Sequence, residues 1–165
     1  SKKICVEFTS MSKTYAMAGW RIGFAVGNKN LIAALTKIKS YLDYGAFTPV
    51  QVAAASALNG SQDCVENIRN TYKSRRDTLI KSMSRNGWEI PKPEASMFAW
   101  APIPKMYQKK GSLAFSKDLM LKASVAVAPG IAFGEYGEGF VRIGLVENEH
   151  RILSLIHISE PTRPR

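Results

Sequence analysis

A lysine and an arginine lie close together in Ser10-Met11-Ser12-Lys13-Thr14-Tyr15-Ala16-Met17-Ala18-Gly19-Trp20-Arg21-Ile22-Gly23-Phe24. A lysine amine is a poor nucleophile while protonated. Where desolvation or a second cation takes its proton, the lone pair can attack an aldehyde and form an imine. An arginine fork beside serine hydroxyls suits a phosphate, which accepts several charge-assisted hydrogen bonds. The chain then runs into Ile22, Phe24, Ala25 and Val26, too bulky and apolar for a surface loop. Ile22 to Gly27 is therefore expected to be a buried strand, with Lys13 and Arg21 at the mouth of a packed sheet.

A cofactor carrying both an aldehyde and a phosphate would use all of these groups, and pyridoxal phosphate is such a cofactor. The bland alternative is a solvated Lys13 with Arg21 paired to some carboxylate, and an isolated Ser-Lys pair would favour it. The longer pattern weighs against that. Small residue, any residue, small residue, lysine, then Gly-x-Arg-hydrophobic-Gly is met from Ser10 to Gly23. The stretch resembles the lysine signature of the class I/II pyridoxal-phosphate aminotransferases of fold type I.

A second motif lies far downstream. Pro129-Gly130-Ile131-Ala132-Phe133-Gly134 is followed by Gly137-Glu138-Gly139-Phe140-Val141-Arg142-Ile143-Gly144. Arg142 interrupts an apolar strand, where an unpaired charge is costly, so an anionic partner is expected. That partner is either a structural carboxylate (Glu135, Glu138 or Glu147) or the carboxylate of a substrate held in bidentate fashion. This segment resembles the C-terminal motif of the same aminotransferases.

The resemblance runs from about Lys3 to Arg151 and is nearest to the bacterial glutamate–pyruvate (alanine) and LL-diaminopimelate-like groups. It is carried also by Lys39–Gln51 and Glu94–Trp100, and it departs at Ala18, where relatives have proline. It implies an α/β chain, the C-terminal part of a fold type I transferase. Lys13 would be the Schiff-base lysine and the base at the substrate Cα. Ser10, Ser12 and Arg21 would hold the cofactor phosphate, and Arg142 the substrate α-carboxylate. The implied partners are an amino acid and a 2-oxo acid, with alanine/pyruvate and glutamate/2-oxoglutarate the preferred pair. A homodimer is implied too, with Tyr44–Gln51 a candidate shared edge. The family's other cofactor-binding groups precede the lysine, and the nine residues before Ser10 do not hold them. Diaminopimelate transamination, carbon–sulfur lysis and a transcription regulator carrying an aminotransferase-like domain remain as alternatives.

Composition agrees with a folded domain: 165 residues, 45% hydrophobic and 22% charged. No apolar run reaches membrane-spanning length and no signal-peptide core opens the chain, so no membrane partner is expected. Cys5 and Cys64 form no metal or redox spacing, which reads as a reduced, cytoplasmic setting without a metal. The net charge of +10 could serve an anionic partner. The basic residues are scattered, however, as in Lys37/Lys39, Lys73/Arg75/Arg76 and Lys109/Lys110. Solvated helix faces account for them without nucleic acid.

The elements that must position these residues follow from periodicity. Ile4–Phe8 alternates as a strand. Asn28 or Asn30 caps a helix carrying Leu31, Leu35, Ile38 and Leu42, which ends near Tyr44-Gly45. Thr48, Pro49 and Gln51 read as a capping box opening an alanine-rich helix to Asn59-Gly60. A long amphipathic helix runs from about Asp63 to Asn86, with Val65, Ile68, Tyr72, Leu79 and Met83 on one stripe. Strands are expected at Ser96–Trp100, Val125–Val127 and Phe140–Leu145, and a helix at Ser112–Ala123. The expected organisation is the end of a large domain over 1–60, a connecting helix over 61–87 and a smaller α/β domain over 88–152.

The last stretch reads differently. Leu153-Ser154-Leu155-Ile156-His157-Ile158-Ser159-Glu160-Pro161-Thr162-Arg163 resembles the translation of a transposase-type sequencing adapter. Residues 153–165 are therefore expected to be non-native, and the chain to be inactive as it stands; a genuine partner-binding tail is the alternative.

Overall fold

The hydrophobic pattern resolves into two units that meet inside one helix, at Arg69/Asn70. The computed structural model describes residues 3–154. The expected tail lies outside the described residues, apart from Leu153 and Ser154, which end a helix.

In the first unit β1 (Val6–Ser10) pairs antiparallel with β2 (Gly23–Gly27), in a register that sets Val6 opposite Gly27 and Ser10 opposite Gly23. The short helix α1 (Met11–Thr14) and a 3₁₀ turn (Ala18–Trp20) connect them. Asn28 caps α2 (Lys29–Leu42), its side-chain oxygen accepting from the amides of Asn30 at 2.9 Å and Leu31 at 3.1 Å. Next come α3 (Thr48–Asn59) and α4 (Asp63–Arg85). The capping box does not form. Phe47 is the cap residue, Thr48 is already helical, and the Gln51 amide reaches back to the Ala46 carbonyl at 2.6 Å.

The buried strand expected at Ile22–Gly27 is a further correction. Phe24 is 37% and Val26 52% exposed, and across the hairpin Phe8 is 73% exposed. A two-stranded ribbon has two faces to cover, and no second layer among the described residues covers them. Lys13 and Arg21 are exposed with it. The stripe on α2 is likewise bare, with Leu31, Ile38 and Leu42 exposed.

The second unit closes a core. β3 (Phe98–Pro102), α5 (Gly111–Ala123), β4 (Ala128–Pro129), β5 (Phe140–Gly144) and α6 (Glu149–Ser154) follow the C-terminal half of α4. The antiparallel sheet has the order β3-β5-β4, so β5 is central. Ala99, Ala101, Val141 and Ile143 alternate onto its inner face and pack with Leu79, Met83, Ile103, Phe115, Leu119 and Leu145. β3 begins later than expected because Ser96 sits at a left-handed φ of 79°. No strand forms at Val125–Val127. Ser124 and Val125 instead donate to the Met120 and Leu119 carbonyls and close α5, which postpones β4 to Ala128.

Candidate active site

The hairpin end gathers the hydroxyls, the lysine and the arginine by backbone geometry. The β1–β2 ladder finishes with the Met11 amide donating to the Ile22 carbonyl at 3.1 Å. Ser10 then caps α1: its Oγ accepts from the Ser12 amide at 3.1 Å and donates to Ser12 Oγ at 2.9 Å. Two strands this close need Gly23, since a Cβ there would stand 2.6 Å from the Thr9 carbonyl oxygen. Arg21 turns the chain into β2 through a left-handed conformation (φ 51°, ψ 49°). Its guanidinium donates to the Ala18 carbonyl at 2.9 Å, which leaves most of its donors available. Lys13 is exposed on the short helix between the serines and that arginine, and among the described residues no carboxylate pairs with its ammonium.

One support of this turn has no sequence signal. The Tyr15 hydroxyl donates to Gln62 Oε1 at 2.8 Å, and the Gln62 amide donates to the carbonyls of Ala57 and Gly60. Tyr15 and Gln62 are far apart along the chain, so no local pattern could announce the pair.

Arg142 belongs to the second unit. It lies on β5 opposite Trp100, on the face away from the core. It is half-buried, and its anionic partner is not among the described carboxylates. Glu147 pairs with Arg151, and Glu138 accepts from Ser112 and Gly139. Instead the guanidinium carbon lies 4.2 Å from the Phe98 ring centroid and 4.5 Å from that of Phe133. Trp100 packs edge-on to Phe133 and stacks on Phe140. This aromatic surround was missed in the sequence, although Phe98, Trp100 and Phe140 alternate onto one sheet face.

The glycine-rich run before β5 delivers Phe133 to that place. Gly130 and Gly137 approach so closely that a Cβ on Gly130 would meet the Gly137 carbonyl oxygen at 1.9 Å. Buried Ser112 holds the same loop, its Oγ accepting from the Ile131 amide at 3.1 Å. Glu138 completes the tie, its Oε1 accepting from the Ser112 amide at 2.6 Å and its Oε2 from the Ser112 hydroxyl at 2.9 Å. The Gly139 amide, with the Ser112 amide and hydroxyl, holds the Glu138 carboxyl below the ordinary glutamate range.

Residues 2–154 match the model of the family described as aminotransferase class I and II. The chain belongs to that family. This aminotransferase chain is 62% identical over 149 residues to AatC of Rhizobium meliloti (strain 1021), whose name assigns it provisionally to the aminotransferases; the match covers 90% of the chain and 37% of AatC. It is 54% identical over 156 residues to the glutamate–pyruvate aminotransferase AlaC of Escherichia coli (strain K12), covering 94% of the chain and 38% of AlaC. The substrate-bound structure of BacF from Bacillus subtilis superposes with a TM-score of 0.90 at 35% identity, over 96% of the chain and 40% of BacF. The aminotransferase chain thus spans about two-fifths of the length of the relatives it matches. Its architecture is that of the fold type I transferases over the part it spans.

Aminotransferases of this class work with pyridoxal phosphate, and the donor set at the hairpin end fits that cofactor. Serine hydroxyls and a guanidinium suit the phosphate, and an amine that no carboxylate pairs with among the described residues suits the aldehyde.

Proposed function

We propose that this chain supplies the catalytic lysine, part of the phosphate site and the carboxylate clamp of an aminotransferase that moves an amino group between an amino acid and a 2-oxo acid. Alanine/pyruvate with glutamate/2-oxoglutarate is the preferred pair, supported by the 54% identity to AlaC. The observation that carries the reading is the convergence of Ser10, Ser12, Lys13 and Arg21 on one hairpin end. Bound pyridoxal phosphate supplies an electron sink that renders the substrate Cα–H acidic. Lys13 would hold the cofactor through its amine and would take and return the proton at the substrate Cα. Ser10, Ser12 and Arg21 would hold the phosphate and so orient the cofactor toward Lys13. Arg142 holds the α-carboxylate that amino and oxo acids share.

A homodimer with Tyr44–Gln51 at its shared edge belongs to this proposal. Tyr44 and Phe47 are 92% and 74% exposed there, large apolar surfaces of the kind an interface covers. A cytoplasmic setting belongs to it as well. No helix among the described residues is long and apolar enough to cross a membrane, and Cys5 and Cys64 form no disulfide. The domain division belongs here too, with α4 connecting a large cofactor domain to a small one.

The test is Lys13→Ala in the full-length protein assayed with alanine and 2-oxoglutarate. The absorbance that arises from the lysine's own bond to the cofactor and the turnover should both disappear. Turnover near the unaltered rate would remove Lys13 from the chemistry. Arg21→Ala should lower cofactor retention on dialysis more than it lowers the rate at saturating cofactor.

A further inference from the structure

Arg142 is flanked by aromatic rings where a charged partner was expected. Phe98, from β3, and Phe133, from the glycine-rich loop, stand 4.2 and 4.5 Å from its guanidinium carbon. Both distances are those of a ring face against a cation. The rings come from different elements, a strand and a loop, so the guanidinium is confined by two separate parts of the fold. A guanidinium presents its donors only around its edge, in the plane of the fork, and its faces donate nothing.

We propose that Phe98 and Phe133 are positioning residues that hold the Arg142 fork edge-out, so that an α-carboxylate is received in the plane of the guanidinium. The inference rests on the reading of Arg142 as the carboxylate clamp. An arginine on an open sheet face samples many rotamers, and each bidentate contact must first collect them. Rings against it remove those alternatives before the ligand arrives, so less order is lost on binding. The loop is built to keep Phe133 there: the Gly130–Gly137 approach closes it, and the Ile131 amide is tied to buried Ser112. Trp100, edge-on to Phe133, limits the ring's own motion.

The test uses the full-length, cofactor-loaded protein and propionate, a carboxylate without an amino group to transfer. Its Kd is measured by calorimetry beside the KM and kcat for alanine and pyruvate. Phe133→Leu and Phe98→Leu keep an apolar side chain but lose the ring face. Each should weaken propionate about 3- to 10-fold. Each should also raise both KM values by a common factor while kcat stays within about twofold. Phe133→Tyr should restore unaltered values. In an Arg142→Ala background Phe133→Leu should add nothing, because the group it orients is gone. If Arg142→Ala weakens propionate but neither leucine variant does, the positioning role is wrong while the clamp stands. A leucine effect that persists without Arg142 overturns it equally. If Arg142→Ala itself leaves propionate unchanged, the clamp reading fails first and the positioning role falls with it.

Discussion

At the scale of the residue, Arg142 and Lys13 differ in how much of their setting the chain itself builds. Arg142 has two rings against its guanidinium and a loop that fixes one of them, whereas Lys13 stands exposed on a short helix held by a serine cap. A lysine at position 142 would keep the charge but lose the planar fork and its two parallel hydrogen bonds. Arg142→Lys should therefore raise KM for alanine and pyruvate nearly as much as Arg142→Ala, about 10-fold or more, since a charged hydrogen bond contributes ~1.5–3 kcal/mol. Equal KM values in unaltered protein and Arg142→Ala would make the arginine structural. Both residues stand in motifs that single them out in the sequence. The companions of Arg142 were not legible, because Phe133 meets it across a loop closed by glycines whose approach no periodicity encodes.

At the scale of the element, the tie between α5 and the glycine-rich loop depends on charge. Glu138 accepts from donors at the start of α5, where an anion is favoured by the exposed amides and the helix dipole. Its carboxyl is held below the ordinary 4.5. A depressed carboxyl contributes stability that is fully present above the unfolded value and is lost as pH falls through the folded one. Unaltered protein should thus lose denaturant midpoint as pH falls from about 5 towards 3, and the gap between it and Glu138→Gln should narrow across that window. A gap constant with pH would mean that the charge contributes nothing. Replacing Ser112 by alanine should cost about 1–3 kcal/mol at neutral pH, because a buried partner of a charged acceptor is removed. Most elements were legible: α2, α4, α5 and β5 fall where apolar spacing puts them, and α3 where Pro49 and the closing Asn59-Gly60 put it. The misreadings came from backbone features that spacing cannot carry, namely left-handed Ser96 delaying β3, and Ser124 with Val125 closing α5 where a strand was expected.

At the scale of the whole molecule, burial is uneven. Among the described residues, only Met11 and Ala54 of the buried apolar side chains precede Leu79. The burial expected for Ile22–Gly27 was inferred from composition, which reports that a segment needs cover but not whether that cover lies in the same chain. Expressed alone, these 165 residues should show the contrast directly. Brief trypsin treatment should cut first within residues 3–69 and leave a resistant species starting in α4, as mass spectrometry would register. Uniform resistance would contradict the division at Arg69/Asn70. The helix α4 carries this contrast along its own length. It is one unbroken run of hydrogen bonds from Asp63 to Arg85, yet only its last turns bury side chains, at Leu79, Ser82 and Met83. Most helical stability in proteins comes from tertiary packing rather than propensity, so the packed end holds the helical state for the rest. Amide exchange should therefore form a gradient, slowest around Leu79–Met83 and faster turn by turn towards Asp63. Such a helix has no single melting temperature: warming should shorten it from its N-terminus while the packed turns persist, so that its length becomes a continuous function of temperature.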